Sequence, residues 1–150
     1  MTQSVEQVLA QAVFYSDDQL YDLIQLPAKA IMAAAGVMAE IGEPFGALIV
    51  DKDEVSLIIP AEAWDDFQGR LPGSQAGSTQ YRLITFDVVL EPDLVGFMAL
   101  ISRALADAQI SILTYAAFSR DHFLVPVDQF NLALQALETL KSQYSSSTST

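Results

Sequence analysis

The sequence has no cysteine, one histidine, one tryptophan and seven basic residues against nineteen acids. The absence of cysteine excludes disulfides, thiolate nucleophiles and Cys-ligated zinc, and it fits a cytoplasmic location. A His-based catalytic triad or metal cluster needs partners within hydrogen-bond reach of the single histidine, His122, and nothing in the sequence places any there. A formal net charge of −12 argues against nucleic acid and anionic membranes as partners, since both require clustered Lys and Arg. The acidity reads most simply as a solubility device. Apolar runs fall short of a membrane span, and no basic flank leads into an apolar run at the N-terminus, so neither a transmembrane helix nor a signal peptide is expected. Neither G-x-x-x-x-G-K-[ST] nor G-x-G-x-x-G occurs, and no serine stands in a nucleophile-elbow context. These absences point away from an enzyme and call for no cofactor or metal.

Half of the residues are hydrophobic, enough for a sizeable core within one ordinary domain or two small ones. "SVEQVLAQAVF" (4–14) carries apolar residues at helical spacing. "SDDQ" (16–19) has the form of a capping box, so a short helix over "DDQLYDLIQ" is expected. Pro27 suits the first turn of a helix "PAKAIMAAAGVMAEI", ended by Gly42 and apolar on nearly every side, which predicts burial on more than one face. "GALIVDKDEVSLIIP" reads as a hairpin around "DKDE", and Pro60 opens a short helix whose Trp64 and Phe67 pack on the core. Asp51, Asp53 and Glu54 crowd that turn but lack the spacing and glycine of a calcium loop, so they read as a solvated turn.

The Gly-, Ser- and Pro-rich segment 69–80 reads as a linker. A strand (81–90), a helix (about 94–108), a strand "ISILTYAAF", a turn "SRDH" holding His122, a strand "FLVPV" and a helix capped by Asp128 follow. The element order gives βαββα for 81–143 and αββαβ for 27–90, each a βαββαβ unit short of one strand, with strand 81–90 counted in both. The expected division is an N-terminal helical segment (1–26), a first, degenerate unit (27–80), a second unit (81–144) and a disordered tail (145–150).

The second half resembles the ACT domain, and in particular the short tandem ACT-like proteins. The "D-x-x-G" helix entry matches Asp93 and Gly96, and "ISILTYAAFSRDHFLV" is similar to the family's strand–turn–strand. Glu54, Ser56 and Pro60 match the corresponding strand of the first unit. The resemblance implies an α+β fold of tandem ferredoxin-like units, antiparallel sheets with helices on one face. It further implies a regulatory module that binds a small molecule, usually an amino acid, between units, and a homodimer. The implied ligand-binding residues are Asp93, Leu94, Val95, Gly96, Thr114, Tyr115, Ala116, Ala117 and Asp121. The chain departs from the family at three points. Ala116 and Ala117 replace a Ser-Thr pair, Ser119 and Arg120 fall where the family turn reads "FDTD", and Val95 replaces a common Thr. The alternative of a different class is a protein-interaction or structural dimer that has lost its ligand. The first-turn N–H groups of the helix and the positive end of its dipole give the loop an independent rationale as a carboxylate site. Against this, Asp93 would merely cap the helix and Gly96 merely allow helix and sheet to pack.

Overall fold

A computed structural model describes residues 3–145. The chain forms two compact units: Asp18–Tyr81, and the described residues of Met1–Asp17 together with Arg82–Thr150. Both have the α+β ferredoxin-like plan.

In the unit Asp18–Tyr81, strand β2 (Tyr21–Pro27) leads through a 3-10 turn to helix α2 (Ile31–Ile41). Strands β3 (Ala47–Val50) and β4 (Glu54–Pro60), helix α3 (Ala61–Phe67) and the first half of strand β5 (Gln75–Phe86) follow. The sheet order is β3-β4-β2-β5, every pair antiparallel. Ile24, Leu26, Val55, Leu57 and Ile59 present one apolar face to Ala34 and Val37 of α2, with Trp64 and Phe67 of α3 packed alongside. The β3–β4 turn is held by Asp51, whose Oδ1 accepts from the N–H groups of Asp53 (2.8 Å) and Glu54 (2.9 Å). Those two bonds lower its pKa, so the acid at this turn has a structural task.

Three expectations fail in this unit. No helix forms over 17–25. There the apolar spacing is compatible with a helix, but the segment is captured by an unbroken antiparallel ladder from Tyr21↔Pro60 to Pro27↔Glu54. The expected linker 69–80 ends in strand, its residues from Gln75 onward pairing with β2. Helix α2 is not buried on several faces within its unit. Ala34 and Val37 are buried, whereas Met32 is 83% exposed. Asp22, at a buried position on β2, has its pKa raised by burial, partly offset by a hydrogen bond from the Gln80 side chain and reinforced by the charge of Asp65.

The other unit begins at the second half of β5. Helix α4 (Phe97–Asp107), strand β6 (Leu113–Ala116), strand β7 (Asp121–Pro126) and helix α5 (Phe130–Ser145) follow in order. Its remaining strand comes from the start of the chain. Helix α1 (Val5–Gln11), closed at its N-terminus by a reciprocal Ser4–Gln7 capping box, leads to β1 (Phe14–Tyr15), which pairs with β5 through Phe14↔Phe86 and Tyr15↔Thr85. The order is β6-β7-β5-β1, so β5 closes one unit with its first half and opens the other with its second. Phe86 is the centre of this core. Its ring lies 4.7 Å from that of Phe123, 5.0 Å from Phe97 and 5.3 Å from Phe14. Val8 and Leu9 of α1, Ile101 and Leu105 of α4, and Leu137 of α5 complete it.

Asp128 lies within the 3-10 turn before α5, and His122 lies in β7 rather than in a turn. Of the tail expected to be disordered, Ser145 is the last residue of α5, and the rest lies outside the described residues.

Candidate functional site

The loop from β5 to α4 and the β6–β7 turn converge beside the start of α4. Each is fixed by hydrogen bonds. The turn closes on itself through Ala117 N–H to the Arg120 carbonyl (2.9 Å), and it is tied to the loop by Leu90 N–H donating to the Ser119 carbonyl (2.9 Å). From the other side, Gln3 clasps the loop. Its side-chain amide donates to the Val89 carbonyl (2.9 Å), its Oε1 accepts from Glu91 N–H (3.0 Å), and its own N–H donates to the Glu91 carboxylate (3.2 Å).

Between these segments lies a hollow of about 390 Å³. Leu94, Gly96, Ala116, Ala117 and Asp121 line it, together with residues outside the implied ligand-binding set, chiefly Glu91, Phe97, Phe118, Ser119 and Arg120. A smaller adjoining hollow of about 180 Å³ shares Met98, Ala116 and Asp121 with the first. Ser102, Thr114 and Tyr115 line it with hydroxyl-bearing side chains and His122 with an imidazole. Asp93 and Val95 line neither; Val95 is 86% exposed.

Gly96 is the N-cap of α4 with φ +92°, a left-handed conformation that suits glycine. A Cβ added there would meet nothing within 4 Å. The glycine is therefore needed for the bend of the backbone, not for close packing of helix and sheet. Asp93 does not cap: no side chain accepts from the first turn. The first intrahelical bond of α4 runs from Leu100 N–H to the Gly96 carbonyl (3.1 Å). The N–H groups of Phe97, Met98 and Ala99 thus have no acceptor within the helix, and the positive end of the dipole is uncapped beside the hollow.

Arg120 is the one basic residue lining the larger hollow. Its Nε donates to Asp87 Oδ1 at 3.0 Å and its Nη1 to Ser119 Oγ at 3.3 Å. Burial raises the Asp121 carboxyl above its usual range, an effect that neighbouring His122 partly opposes. His122 is held below the usual imidazole value by burial first; Asp121 opposes this and Arg120 adds to it. His122 Nδ1 and Thr85 Oγ1 lie 2.8 Å apart, joining β7 to β5.

The lowered His122 pKa has a consequence for stability. Between that folded value and about 6.5, the unfolded chain binds the proton and the folded chain does not. His122 therefore contributes stability that is lost as pH falls through this window. The raised carboxyls of Asp121 and Asp22 act with the opposite sign, since the folded state holds their protons more tightly and stability falls as pH rises above 3.8 through their folded values. Urea midpoints of the wild type should decline as pH falls from 7 towards 5.5, and H122N should flatten that decline. An unchanged slope in H122N rules out His122 as its source.

Among the described residues no group of three or more His, Asp or Glu is arranged to hold a metal ion, and no helix is long and apolar enough to cross a membrane.

A family model of the ACT domain matches residues 78–139. Among solved structures, a Vibrio cholerae protein of unknown function, described as a possible transport protein, is 26% identical. That match covers 92% of this chain and 96% of the other, with a TM-score of 0.70. An Agrobacterium tumefaciens protein is 19% identical over 82% of this chain and 84% of its own, with a TM-score of 0.61. The regulatory subunit of aspartate kinase from Thermus flavus is 13% identical over 87% of this chain and 99% of its own, with a TM-score of 0.63. The last two are likenesses of fold. No curated protein matches the chain in sequence.

Proposed function

We propose that this chain, which carries an ACT domain over residues 78–139, is a regulatory module that binds a small molecule, an amino acid, in the hollow at the start of α4. The observation that carries this reading is the convergence there of uncapped helix N–H groups, a cation and a half-buried carboxylate around about 390 Å³ of space. An amino acid bears the complementary pair of charges on adjacent groups, and the volume is of the size that small-ligand sites have. The role in this reading is regulatory, in keeping with the ACT-domain match over residues 78–139 and with the receptors for charge that line the hollow. The reading extends to a cytoplasmic protein working as a homodimer.

A thermal-shift screen of the twenty amino acids tests it. Ligand at a hundred times its Kd stabilises the native state by about 2.7 kcal/mol, an easily read rise in Tm. At least one amino acid should produce it, and Gly96→Val should abolish it, because valine cannot hold the left-handed bend that exposes the first-turn N–H groups. A flat screen defeats the reading.

A second reading has an observation of its own. Phe118, at the tip of the β6–β7 turn, is 97% exposed, and β6 is an edge strand. An open edge beside an exposed aromatic suits pairing with a second copy or another protein. A dimer whose mass depends on concentration and on Phe118, alongside a flat amino-acid screen, favours this alternative.

A further inference from the structure

Resting on the ligand reading above, we infer that Arg120 is the receptor for the ligand's carboxylate and the residue that sets the chemical class of ligand: compounds with one carboxylate, not neutral amides or dicarboxylates. Arg120 is the only base among the residues lining the larger hollow, in a chain of net charge −12. Its guanidinium is oriented rather than free to sweep through solvent. Nε is committed to Asp87 at 3.0 Å and one Nη1 hydrogen to Ser119 Oγ at 3.3 Å. A guanidinium has five N–H donors in a rigid fork, so three remain for a planar anion after those two bonds.

The backbone fixes the stem as firmly as the side chain fixes the head. The Arg120 carbonyl accepts from Ala117 N–H, and the neighbouring Ser119 carbonyl accepts from Leu90 N–H. A cation pinned at both ends loses little freedom when an anion arrives, and a charge-assisted bidentate contact is among the stronger hydrogen-bonding arrangements.

The other charges in the hollow narrow the class further. Glu91 and Asp121 also line it. With one base against two acids, a ligand carrying a second carboxylate meets net repulsion, while an ammonium group finds Asp121 beside Arg120 in the chain and in the cavity wall. The polar side chains absent at Ala116 and Ala117 are thus answered from the turn three residues on, by a charge rather than by hydroxyls.

The test uses the whole chain and paired probes: each L-amino acid and its α-carboxamide, which keeps the side chain and ammonium but replaces the carboxylate with a neutral group. Affinities come from calorimetric titration of wild type, Arg120→Gln, Arg120→Lys and Gly96→Val. The amino acid that binds wild type is expected to outbind its carboxamide at least tenfold. Arg120→Gln should bind that amino acid at least tenfold more weakly and lose the preference for acid over amide. Arg120→Lys should restore part of both, which a merely folding-related loss would not give. L-Aspartate and L-glutamate should bind wild type at least tenfold more weakly than the preferred amino acid.

Arg120→Gln binding within twofold of wild type, or keeping the full acid–amide preference, overturns the inference. A dicarboxylic amino acid as the tightest probe overturns the class. Should Gly96→Val lose binding while Arg120→Gln keeps it, the site stands and only the role of Arg120 is refuted. Should wild type bind no probe at all, the ligand reading is refuted and this inference with it.

Discussion

Phe86→Ala is expected to lower folding stability by about 3–5 kcal/mol, the cost of removing a fully buried phenylalanine. Phe86 is completely shielded from solvent and its ring touches three others, from β1, α4 and β7. Alanine would remove the common partner of all three and leave a void that rings on different elements cannot jointly close. The effect should reach the candidate site. Phe97, the first residue of α4, lines the hollow and rests edge-on against Phe86. Without that support the first turn of α4 should loosen, and hydrogen exchange at Leu100, the first amide bonded within the helix, should accelerate beyond the global change. Chemical denaturation measures the first effect. A control, Phe118→Ala, should change stability by no more than about 0.5 kcal/mol, because that ring is almost wholly in solvent. A loss below about 1.5 kcal/mol for Phe86→Ala would contradict the aromatic cluster as drawn.

Gly73→Val should be the most damaging single change in the other unit's connections. Gly73 has φ +75°, and a Cβ there would stand 2.9 Å from Cγ and 3.2 Å from Cδ of Pro27. A left-handed backbone costs a non-glycine residue roughly 1–3 kcal/mol, with β-branched residues at the upper end. The clash adds to this, since the proline ring is rigid and Pro27 ends the paired stretch of β2. The segment Leu71–Ser74, closed by Ser74 N–H on the Leu71 carbonyl at 3.2 Å, delivers the chain into β5. A displaced Gly73 therefore shifts the start of that strand. A fall in Tm smaller than that of a typical surface substitution would mean that the bend is not tightly constrained.

Much of the fold was legible because the relevant interactions are local or periodic. The hairpin of β3 and β4 is announced by two β-branched runs around an acidic turn, and α4 and α5 by apolar stripes. The start of α4 was legible through Gly96, a residue whose backbone freedom the bend requires. What escaped depends on partners distant in sequence. The segment 17–25 has helix-compatible spacing, and the charge of Asp22 at a buried position spoils the alternation that marks a strand; only the ladder to β4 decides it. Gln75–Gln80 looked like linker because these residues are polar and small. They are held by backbone pairing with β2 rather than by a buried face. Strand β1, two residues long, is below any periodicity.

The candidate site was legible in outline for a similar reason. Five of the nine residues implied by resemblance meet in the larger hollow, and Thr114 and Tyr115 line its neighbour. Asp93 suggested a cap by position, yet the cap is the glycine itself. Arg120 stands out in the sequence only as a departure from the family turn, and spacing gives it no partner. Its significance comes from Asp87, thirty-three positions earlier, which holds its head in place.

Chain order and fold order part company at one seam. Arg82 Nη2 donates to the Asp17 carbonyl at 2.8 Å, so the polypeptide leaves and re-enters one unit at neighbouring points, with the entire Asp18–Tyr81 unit looped out between them. The arrangement is that of a cassette spliced into a host. Trimming the first fifteen residues would strip the host of a helix and its outermost ribbon while leaving the cassette's own sequence untouched. Dissecting the molecule into halves at residue 81 would consequently yield one intact piece and one missing its edge.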